Sequence, residues 1–180
     1  MADAIADHDG ILHGGVTLGV AGFNGTAYGF NGSNSYVTVP SSPALNPGTA
    51  AMSFTVHVKL TAPPPAGKTV DYDILRKGIS STKGGMYKFE IAHDGRATCR
   101  FLGSKGDVRI HTGPNVANGK WHTITCGRTA SAVTLTVDGA KFSRAGATGT
   151  ISNTDGITIG AKPGSDYYLG SLDEISIAIG

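Results

Sequence analysis

Two alternating segments joined by a short polar stretch constrain the fold of this chain more than any other feature of its sequence. In residues 121–126, Trp and Thr alternate with His, Ile and Cys, and in residues 133–137, Val and Leu alternate with Thr. Residues 127–132 between them are mostly small and polar. Alternation with a period of two, interrupted by a turn, is typical of a β-hairpin. Because the chain's only Trp, Trp121, lies here, we expect this hairpin to anchor the core.

The rest of the chain repeats this pattern in many short segments. Asp138-Gly139 provides a turn that requires positive φ, before a further short strand at residues 140–144. The clearest strand, at residues 54–60, ends before the proline run at 63–65, because proline cannot donate to a β-ladder. Other predicted strands lie at residues 16–20, 28–30, 36–39, 73–77, 86–93, 97–102, 108–111, 157–159 and 172–179. With no amphipathic helix and no internal repeat, the sequence predicts an all-β, antiparallel, two-sheet sandwich of the jelly-roll type.

Length and charge limit the organisation and the partners of the chain. A length of 180 residues predicts one domain, with enough chain to bury a substantial core. The net charge is only +2, and the 15 Lys and Arg residues are scattered, so nucleic acid is not an expected partner. No apolar run approaches the ~18 residues of a membrane helix, so we expect no membrane insertion.

Three segments of the sequence resemble one known family. Residues 119–140 (GKWHTITCGRTASAVTLTVDGA) are similar to the central hairpin of laminin-G-like jelly-roll domains, which have the concanavalin A-like lectin/glucanase fold. In that family a Trp-His pair opens one strand and a Val-Asp-Gly turn ends the next. Residues 27–33 with 36–40 resemble the opening hairpin, and residues 157–160 with 169–177 resemble the closing strands. The resemblance implies one concanavalin A-like domain over residues 1–180, but one fold hosts many unrelated functions.

The N-terminal residues lack the features of a secretory signal. Met1-Ala-Asp-Ala-Ile is followed by Asp7-His-Asp, whereas a signal peptide has a basic start and an apolar run. Members of the resembled family usually begin with one more apolar strand. We therefore expect either a start that lies inside a longer exported protein or a sheet edge that lacks this strand. The resemblance implies an extracellular or cell-surface location.

The two cysteines, Cys99 and Cys126, lie in predicted strands. Bridged, they would stabilise the fold by ~3 kcal/mol through restriction of the unfolded chain. The alternative is a pair of buried free thiols. A two-cysteine pattern at these strands is familiar among secreted members of the resembled family, which favours the disulfide.

A structural calcium ion is the sharpest ligand hypothesis that the resemblance implies. Jelly rolls of this kind often hold one Ca²⁺ through a carboxylate of the closing strand and carbonyl groups of the first hairpin. Asp173 matches the carboxylate, and Asn31 and Gly32 match the hairpin. Calcium takes six to eight oxygen ligands, so backbone and water would supply most of them. Asn31 stands where relatives often have Asp, and the alternative is that Asp173 only hydrogen-bonds the N-terminal loop.

The sequence argues against catalysis. Retaining glycosidases of this fold use a Glu-x-Asp-x-Glu strand with two carboxylates ~5 Å apart. This chain has only Glu90 and Glu174, and neither lies in that pattern, although distant aspartates could still form an inverting pair. His122, beside Trp121 on a strand, is more typical of a structural hydrogen-bonding residue than of a base.

Sugar binding needs aromatic platforms with polar groups around a concave or loop-built surface. The loop-adjacent candidates are Tyr72, Asp73, Arg76, Tyr87, Tyr167 and Tyr168. Taken singly, each tyrosine fits a half-buried wall residue better. The Tyr167-Tyr168 pair is the preferred candidate, because two adjacent aromatic rings on a Gly/Ser/Asp loop are hard to bury together. The leading hypothesis is a non-catalytic carbohydrate-binding module, and the alternatives are a structural or protein-interaction domain, for example for a cell-surface protein, and a hydrolase.

Overall fold

The strands of the chain form two antiparallel sheets of seven strands each, which confirms the predicted two-sheet jelly-roll sandwich. The structure is a computed structural model that describes residues 1, 8–66, 71–162 and 164–180. A short 3-10 turn, Pro43–Leu45, is capped by the Ser42 side chain. No helix in the described part of the chain is long and apolar enough to cross a membrane.

The strand bounds agree with most of the predicted segments. In chain order the strands are β1 (Ile11–His13), β2 (Thr17–Ala21), β3 (Thr26–Asn31), β4 (Tyr36–Val39), β5 (Met52–Lys59), β6 (Tyr72–Lys77), β7 (Met86–Ile91), β8 (Ala97–Gly103), β9 (Gly106–His111), β10 (Trp121–Arg128), β11 (Ala132–Val137), β12 (Ala140–Ala145), β13 (Ile157–Ile159) and β14 (Leu169–Ile179). Sheet A has the spatial order β1-β4-β13-β6-β7-β8-β9, and sheet B the order β12-β11-β10-β5-β14-β3-β2. The short strand β1 was not predicted, since its Gly-rich surroundings hide the pattern.

The core lies between the two sheets and is built from every second residue of their strands. Its members include Val56 and Val58 of β5, Phe89 and Ile91 of β7, and Phe101 of β8. Each such side chain contributes about 1.5–3 kcal/mol when it is fully buried. The faces of the two sheets that point away from this core carry the polar residues of the same strands.

The predicted central hairpin is formed by β10 and β11, and it contributes to the core through one face only. Ile124, Cys126 and Leu135 are completely buried. Trp121 lies on the opposite face, where its ring meets the edge of Phe23 at 6.4 Å between centroids. The hairpin therefore anchors the core, but its aliphatic side chains do so rather than the Trp.

A bulge in β6 changes which of its residues face outward. The register of β6 against β7 shifts between Asp73 and Leu75, so one extra residue, Ile74, is inserted. As a result Tyr72 and Leu75 both face the core, while Asp73 and Arg76 both face away from it. This bulge places an acidic and a basic side chain side by side on the outer surface of sheet A.

Candidate functional site

The outer face of sheet A carries two rows of polar side chains that run across its strands. The strand register aligns Thr38, Thr158, Arg76, Lys88, Arg100 and Arg109 in one row. The next row contains Asp73, Glu90, Thr98 and His111. Residues opposite one another on adjacent strands lie about 5 Å apart, so the four cations of the first row, here called the cation row, repel one another. Carboxylates must therefore compensate them.

The compensation at the centre of the face is buried. Arg76 Nη1 donates to Asp73 Oδ2 at 2.5 Å, and Arg76 Nε donates to the carbonyl oxygen of Gly78 at 3.1 Å. Lys88 Nζ donates to Glu90 Oε2, and Arg109 Nη2 donates to Glu90 Oε1 at 3.2 Å. The Glu90 side chain is only 1% exposed. Such charge-assisted bonds are stronger than neutral ones, and here they hold the ion pairs in fixed positions.

Burial makes this centre sensitive to protonation. Desolvation raises the pKa of Asp73 to about 7, and the positive charges of Arg76 and Lys88 only partly oppose it. Asp71, which hydrogen-bonds the Glu90 carboxylate, has a pKa raised to about 6, first by burial and then by the charge of Glu90. Among the described residues, the buried Asp73 Oδ1 has no hydrogen-bond partner.

An aromatic cluster lies at the other end of the same face. The rings of His13 and Tyr36 stack with 4.5 Å between centroids, and Tyr36 lies 6.3 Å from the ring of Tyr167. All three side chains are half-buried, so ring surface stays accessible. His13 Nε2 is 2.8 Å from Thr38 Oγ1, which fixes the imidazole beside the polar rows. Half-exposed rings beside hydroxyl groups and ion pairs are the elements of a sugar-binding surface.

A depression of about 420 Å³ opens beside the ends of β4 and β6 and the start of β13. It is lined by Thr38, Arg76 and Thr158 of the first polar row, together with residues 39–41, 78–79 and 154–157. The depression therefore adjoins the first polar row, and the aromatic cluster lies on the same face of sheet A. We take the outer face of sheet A as the candidate site.

The structure brings together some of the predicted binding residues and separates others. Asp73 and Arg76 form an ion pair at the centre of the face, and Tyr167 belongs to the aromatic cluster. The structure divides the preferred Tyr167-Tyr168 pair, because the side chain of Tyr168 is 0% exposed and that of Tyr167 is half-buried. Its hydroxyl donates to the carbonyl oxygens of Lys59 and Ser171, so the polar end of the ring is satisfied inside the protein.

Two further predicted tyrosines face the core rather than a ligand. Tyr87 is 0% exposed and donates to the carbonyl oxygen of Leu45, and Tyr72 is 7% exposed against the ring of Tyr168. The residues that sequence reasoning missed are His13, Tyr36 and Arg109. Tyr36 alternates with the core residues Val37 and Val39, so the sequence pattern indicates that its ring faces outward. The residues that surround His13, Tyr36 and Arg109 depend on the order of the strands, which the pattern does not show.

His122 has the structural role that the sequence favours. Its Nδ1 lies 2.6 Å from Asp138 Oδ2 and its Nε2 lies 3.0 Å from Asn118 Oδ1. Both ring nitrogens are therefore engaged, and they connect the start of β10 to the turn after β11.

The structure does not bring the predicted calcium ligands together. Leu169 of β14 lies opposite Asn31, and Asp173 is four residues further along β14, roughly 13 Å away. Asn31 Oδ1 accepts hydrogen bonds from the backbone of Ser33 and Asn34, so it caps its own turn. Within the described ranges, no group of three or more His, Cys, Asp or Glu side chains could hold a metal ion.

Asp173 instead fastens the β2–β3 turn. Its Oδ2 accepts the backbone N–H groups of Phe23 and Asn24 at 2.9 and 3.2 Å, and its Oδ1 accepts the N–H of Glu174. A Cβ on Gly22 would come within 2.7 Å of Asp173 Oδ2, so only glycine allows this approach. These contacts match the alternative in which Asp173 hydrogen-bonds the N-terminal loop.

We expect calcium to leave the thermal unfolding midpoint within about 1 °C of its value in excess EDTA, because Asp173 and Asn31 already accept hydrogen bonds from neighbouring backbone N–H groups. We expect Asp173→Ala to lower the free energy of unfolding by about 1–3 kcal/mol with or without calcium, because the backbone N–H groups of Phe23, Asn24 and Glu174 lose their acceptor. Differential scanning calorimetry measures both effects. A calcium-dependent rise that disappears in Asp173→Ala would contradict this expectation and support the predicted metal site.

A second concavity, of about 490 Å³, has a different character. It lies between the sheets beside the last part of β14, where residues 176–179 pair with β5. Its lining is mainly apolar and includes Leu75, Ile157, Ile175, Ile177 and Ile179. Asp173 and Glu174 also line this groove, but Asp173 already accepts hydrogen bonds from the backbone of Phe23 and Asn24. The outer face of sheet A is the preferred candidate because it carries the aromatic cluster and the two polar rows, although this groove is larger.

A sandwich of two seven-stranded antiparallel sheets defines the class of jelly-roll domains. Residues 31–178 match a laminin-G family model that is described as the concanavalin A-like lectin/glucanases superfamily. The chain belongs to this family. A comparison with curated proteins found no matching sequence.

Solved structures give the same fold at low sequence identity. Domain 4 of AbnA, a GH43 extracellular arabinanase from Geobacillus stearothermophilus in complex with arabinotriose, is 19% identical, with a TM-score of 0.71 over 95% of this chain and 82% of that one. Mouse laminin α1 domains LG4-5 are 17% identical, with a TM-score of 0.63 over 84% of this chain and 40% of that chain. The binding domain of botulinum neurotoxin serotype G is 11% identical, with a TM-score of 0.69 over 95% of this chain and 43% of that one. The chain thus spans less than half of the laminin and toxin structures, and these likenesses show the fold alone.

Proposed function

We propose that this domain is a non-catalytic, extracellular carbohydrate-binding module whose ligand lies on the outer face of sheet A. The observation that carries the proposal is the aromatic cluster of His13, Tyr36 and Tyr167 beside the polar rows. Sugar rings stack on half-exposed aromatic faces, and their hydroxyl groups exchange hydrogen bonds with fixed ionic side chains. The arabinotriose complex of the arabinanase domain, which has this fold, supports a saccharide as the ligand class.

The arrangement of the carboxylates supports binding rather than hydrolysis. Glycosidases need one carboxyl group as acid and a second as base or nucleophile on opposite sides of the scissile bond. Here Glu90 is held by Lys88 and Arg109, and Asp73 is held by Arg76 on the same side of the same sheet. Carboxylates that are buried and held by fixed cations are poorly placed to attack a glycosidic bond.

An extracellular location fits this function. The inter-sheet disulfide between Cys99 and Cys126 supports an oxidising compartment. One structural relative is the domain of an extracellular arabinanase. In such a setting a small binding module holds a larger protein, or its partner, close to glycan.

The test is isothermal titration with arabinotriose and a panel of other oligosaccharides at millimolar concentration, against wild type, Tyr36→Ala and Tyr167→Ala. We expect millimolar to micromolar binding that falls by about tenfold in each variant, since one stacking ring contributes about 1–1.5 kcal/mol. Phe23→Ala is the matched control, because Phe23 is also a half-exposed aromatic residue but lies against sheet B. A folded wild-type domain that binds no saccharide would contradict the proposal.

A protein-interaction domain is the second candidate, and the strand β2 favours it. β2 lies at the edge of sheet B in the described part of the chain, bears no charged side chain, and exposes 60% of Leu18. Uncharged edge strands pair readily with strands of other proteins. If the saccharide titrations are negative, a pull-down from extracellular fluid with wild type and with Leu18→Lys tests this surface. A protein that wild type retains and Leu18→Lys does not would support the interaction domain.

A further inference from the structure

The cation row is neutral only while every neighbouring carboxylate is ionised. Four cations, Arg76, Lys88, Arg100 and Arg109, occupy four adjacent strands. Four carboxylates, Asp71, Asp73, Glu90 and Asp107, contact them or one another. With all eight groups charged, the face has no net charge. Loss of any carboxylate charge leaves positive charge behind, since Arg and Lys stay protonated at neutral pH.

These carboxylates differ strongly in their surroundings. Asp107 is 41% exposed and accepts two hydrogen bonds from Arg100 at 2.9 and 2.6 Å, and these bonds lower its pKa. Asp73 is fully buried, and its Oδ1 lacks a hydrogen-bond donor in the part of the chain that the structure describes. Asp71 makes a carboxyl–carboxyl hydrogen bond with Glu90, a contact that requires a proton between two acids. The inner carboxylates therefore take up protons first.

We infer that the outer face of sheet A is a proton-gated site for acidic saccharides, which binds sugar carboxylates when Asp71 and Asp73 are protonated and releases them when both are ionised. The inference rests on the proposed carbohydrate-binding function and names its ligand class and its regulation. Protonation of the two groups changes the face from neutral to a net charge of about +2, by the count of four cations and four carboxylates above. A sugar carboxylate supplies the anion that the face then lacks.

The cation row has the geometry for such a ligand. Arg109 is the most accessible member, with 48% of its side chain exposed, and Arg100 is 26% exposed. Guanidinium groups bind carboxylates through two parallel hydrogen bonds. Arg76 and Lys88 are 6% and 13% exposed, so they act on the ligand through their charge. The aromatic cluster at the far end of the face leaves room for further sugar residues along the strand-to-strand direction.

Several other charged groups face the two gating carboxylates. On β6 and β7 these are Arg76, Lys88 and Glu90, and on β9 it is Arg109. Asp166, in the loop before β14, adds negative charge near Asp73. The Nζ of Lys162 lies 3.9 Å from Oδ2 of Asp166. His111, which contacts Asp94, is the other titratable group at the β9 end of the face. The burial of Asp71 and Asp73 raises the pKa of each into the range of about 6–7, so their protonation falls between mildly acidic and mildly basic pH.

The experiment titrates the domain with trigalacturonic acid and with neutral arabinotriose at about pH 5.5 and about pH 8, where the sugar carboxylates stay ionised throughout. We expect trigalacturonic acid to bind about tenfold more tightly at the acidic pH, and arabinotriose to bind equally at both. The Asp71→Asn, Asp73→Asn double variant fixes the neutral state. It should bind the acidic sugar at the basic pH as tightly as wild type does at the acidic pH.

Asp107→Asn is the matched control, since it removes a carboxylate from the same face that is charged at both pH values. It should strengthen binding of trigalacturonic acid equally at both pH values. The ratio of the affinity at about pH 5.5 to the affinity at about pH 8 (the pH ratio) should therefore stay unchanged. Thermal unfolding of each variant verifies that it is folded. If either Asn variant of the gating pair fails to fold, Arg109→Gln tests the site by selective loss of the acidic sugar at the acidic pH.

The outcomes separate the inference from the function on which it rests. Arabinotriose binding without acid-enhanced binding of trigalacturonic acid would overturn the proton gate and leave the carbohydrate-binding function standing. A pH ratio that persists in the double variant would also overturn the gate, and would assign the effect to His111 or another group. Absence of any saccharide binding by folded protein at both pH values would overturn the function and the gate together.

Discussion

Replacement of Arg128 by Ala is expected to lower the free energy of unfolding by about 4 kcal/mol, because charge-assisted hydrogen bonds to buried acceptors contribute about 1.5–3 kcal/mol each before relaxation. Arg128, at the end of β10, is 3% exposed. Its Nη1 donates to Thr148 Oγ1 at 2.8 Å and to the Gly149 carbonyl oxygen at 2.6 Å. Its Nη2 donates to the carbonyl oxygens of Gly48 and Ala50 at 2.6 and 3.0 Å. One guanidinium thus joins two loops that are distant in sequence.

The loss should appear as a fall in the thermal midpoint of about 8–15 °C for a domain of this size. Arg128→Met keeps most of the side-chain volume and separates packing from hydrogen bonding, and we expect it to recover less than half of the loss. Arg144→Ala is the matched control, because Arg144 is exposed and donates a hydrogen bond to the Arg109 carbonyl oxygen. Its effect should stay within about 0.5 kcal/mol. Equal stability of Arg128→Ala and Arg144→Ala would contradict the joining role of Arg128.

The sheets could be predicted because alternation is a local property of the chain. In β5, the residues at every second position are apolar, and the same positions are buried in the structure. A period of two identifies both the strand and the two groups of residues that lie on opposite faces. The resemblance of three segments to one family then adds the concanavalin A-like architecture, which alternation cannot provide. Fold class and strand positions were therefore accessible from the sequence.

The residues that form the site were harder to predict from the sequence, because their positions depend on the strand register and on a bulge. Asp73 and Arg76 are three residues apart, and simple alternation places them on opposite faces of a strand. The insertion of Ile74 between Asp73 and Leu75 returns both to one face. A bulge of this kind leaves no distinct residue pattern here. The pairing of Asp73 with Glu90 across β6 and β7 likewise follows from a register that only the folded sheets define.

The tyrosines show where a plausible surface argument fails. Tyr87 shares its spacing with Phe89 and Ile91 of the same strand, so the sequence did contain a signal that its ring faces the core. Tyr168 gave no such signal, since it follows a loop and only its hydrogen bonds to Lys59 and Ser171 make its burial favourable. Adjacent aromatic residues on a loop can point in opposite directions, as Tyr167 and Tyr168 do. A pair in the sequence is therefore not a platform in the structure.

Reduction of the Cys99–Cys126 disulfide is expected to lower the free energy of unfolding by about 3–4 kcal/mol, which corresponds to about 8–15 °C in the thermal midpoint. The bridge, with 5.6 Å between the Cα atoms, joins β8 of sheet A to β10 of sheet B through the core. It confirms the disulfide that the resemblance favoured over free thiols. The 27-residue separation closes a loop that includes β9 and the chain connecting the two sheets, so reduction frees this segment in the unfolded state.

The matched pair of experiments is thermal unfolding of reduced wild type and of the Cys99→Ala, Cys126→Ala double variant, with mass spectrometry of the alkylated protein to verify the thiol state. Both should lose a similar amount, and the variant should lose somewhat more because both sites are completely buried and it also removes two sulfur atoms from the core. Binding at the outer face of sheet A should survive reduction below the new midpoint, because the site faces away from the bridge. A midpoint that does not change although both thiols are free would show that packing alone holds the two sheets together. Since reducing compartments would withdraw this stabilisation, a large loss supports a protein that works outside the cell.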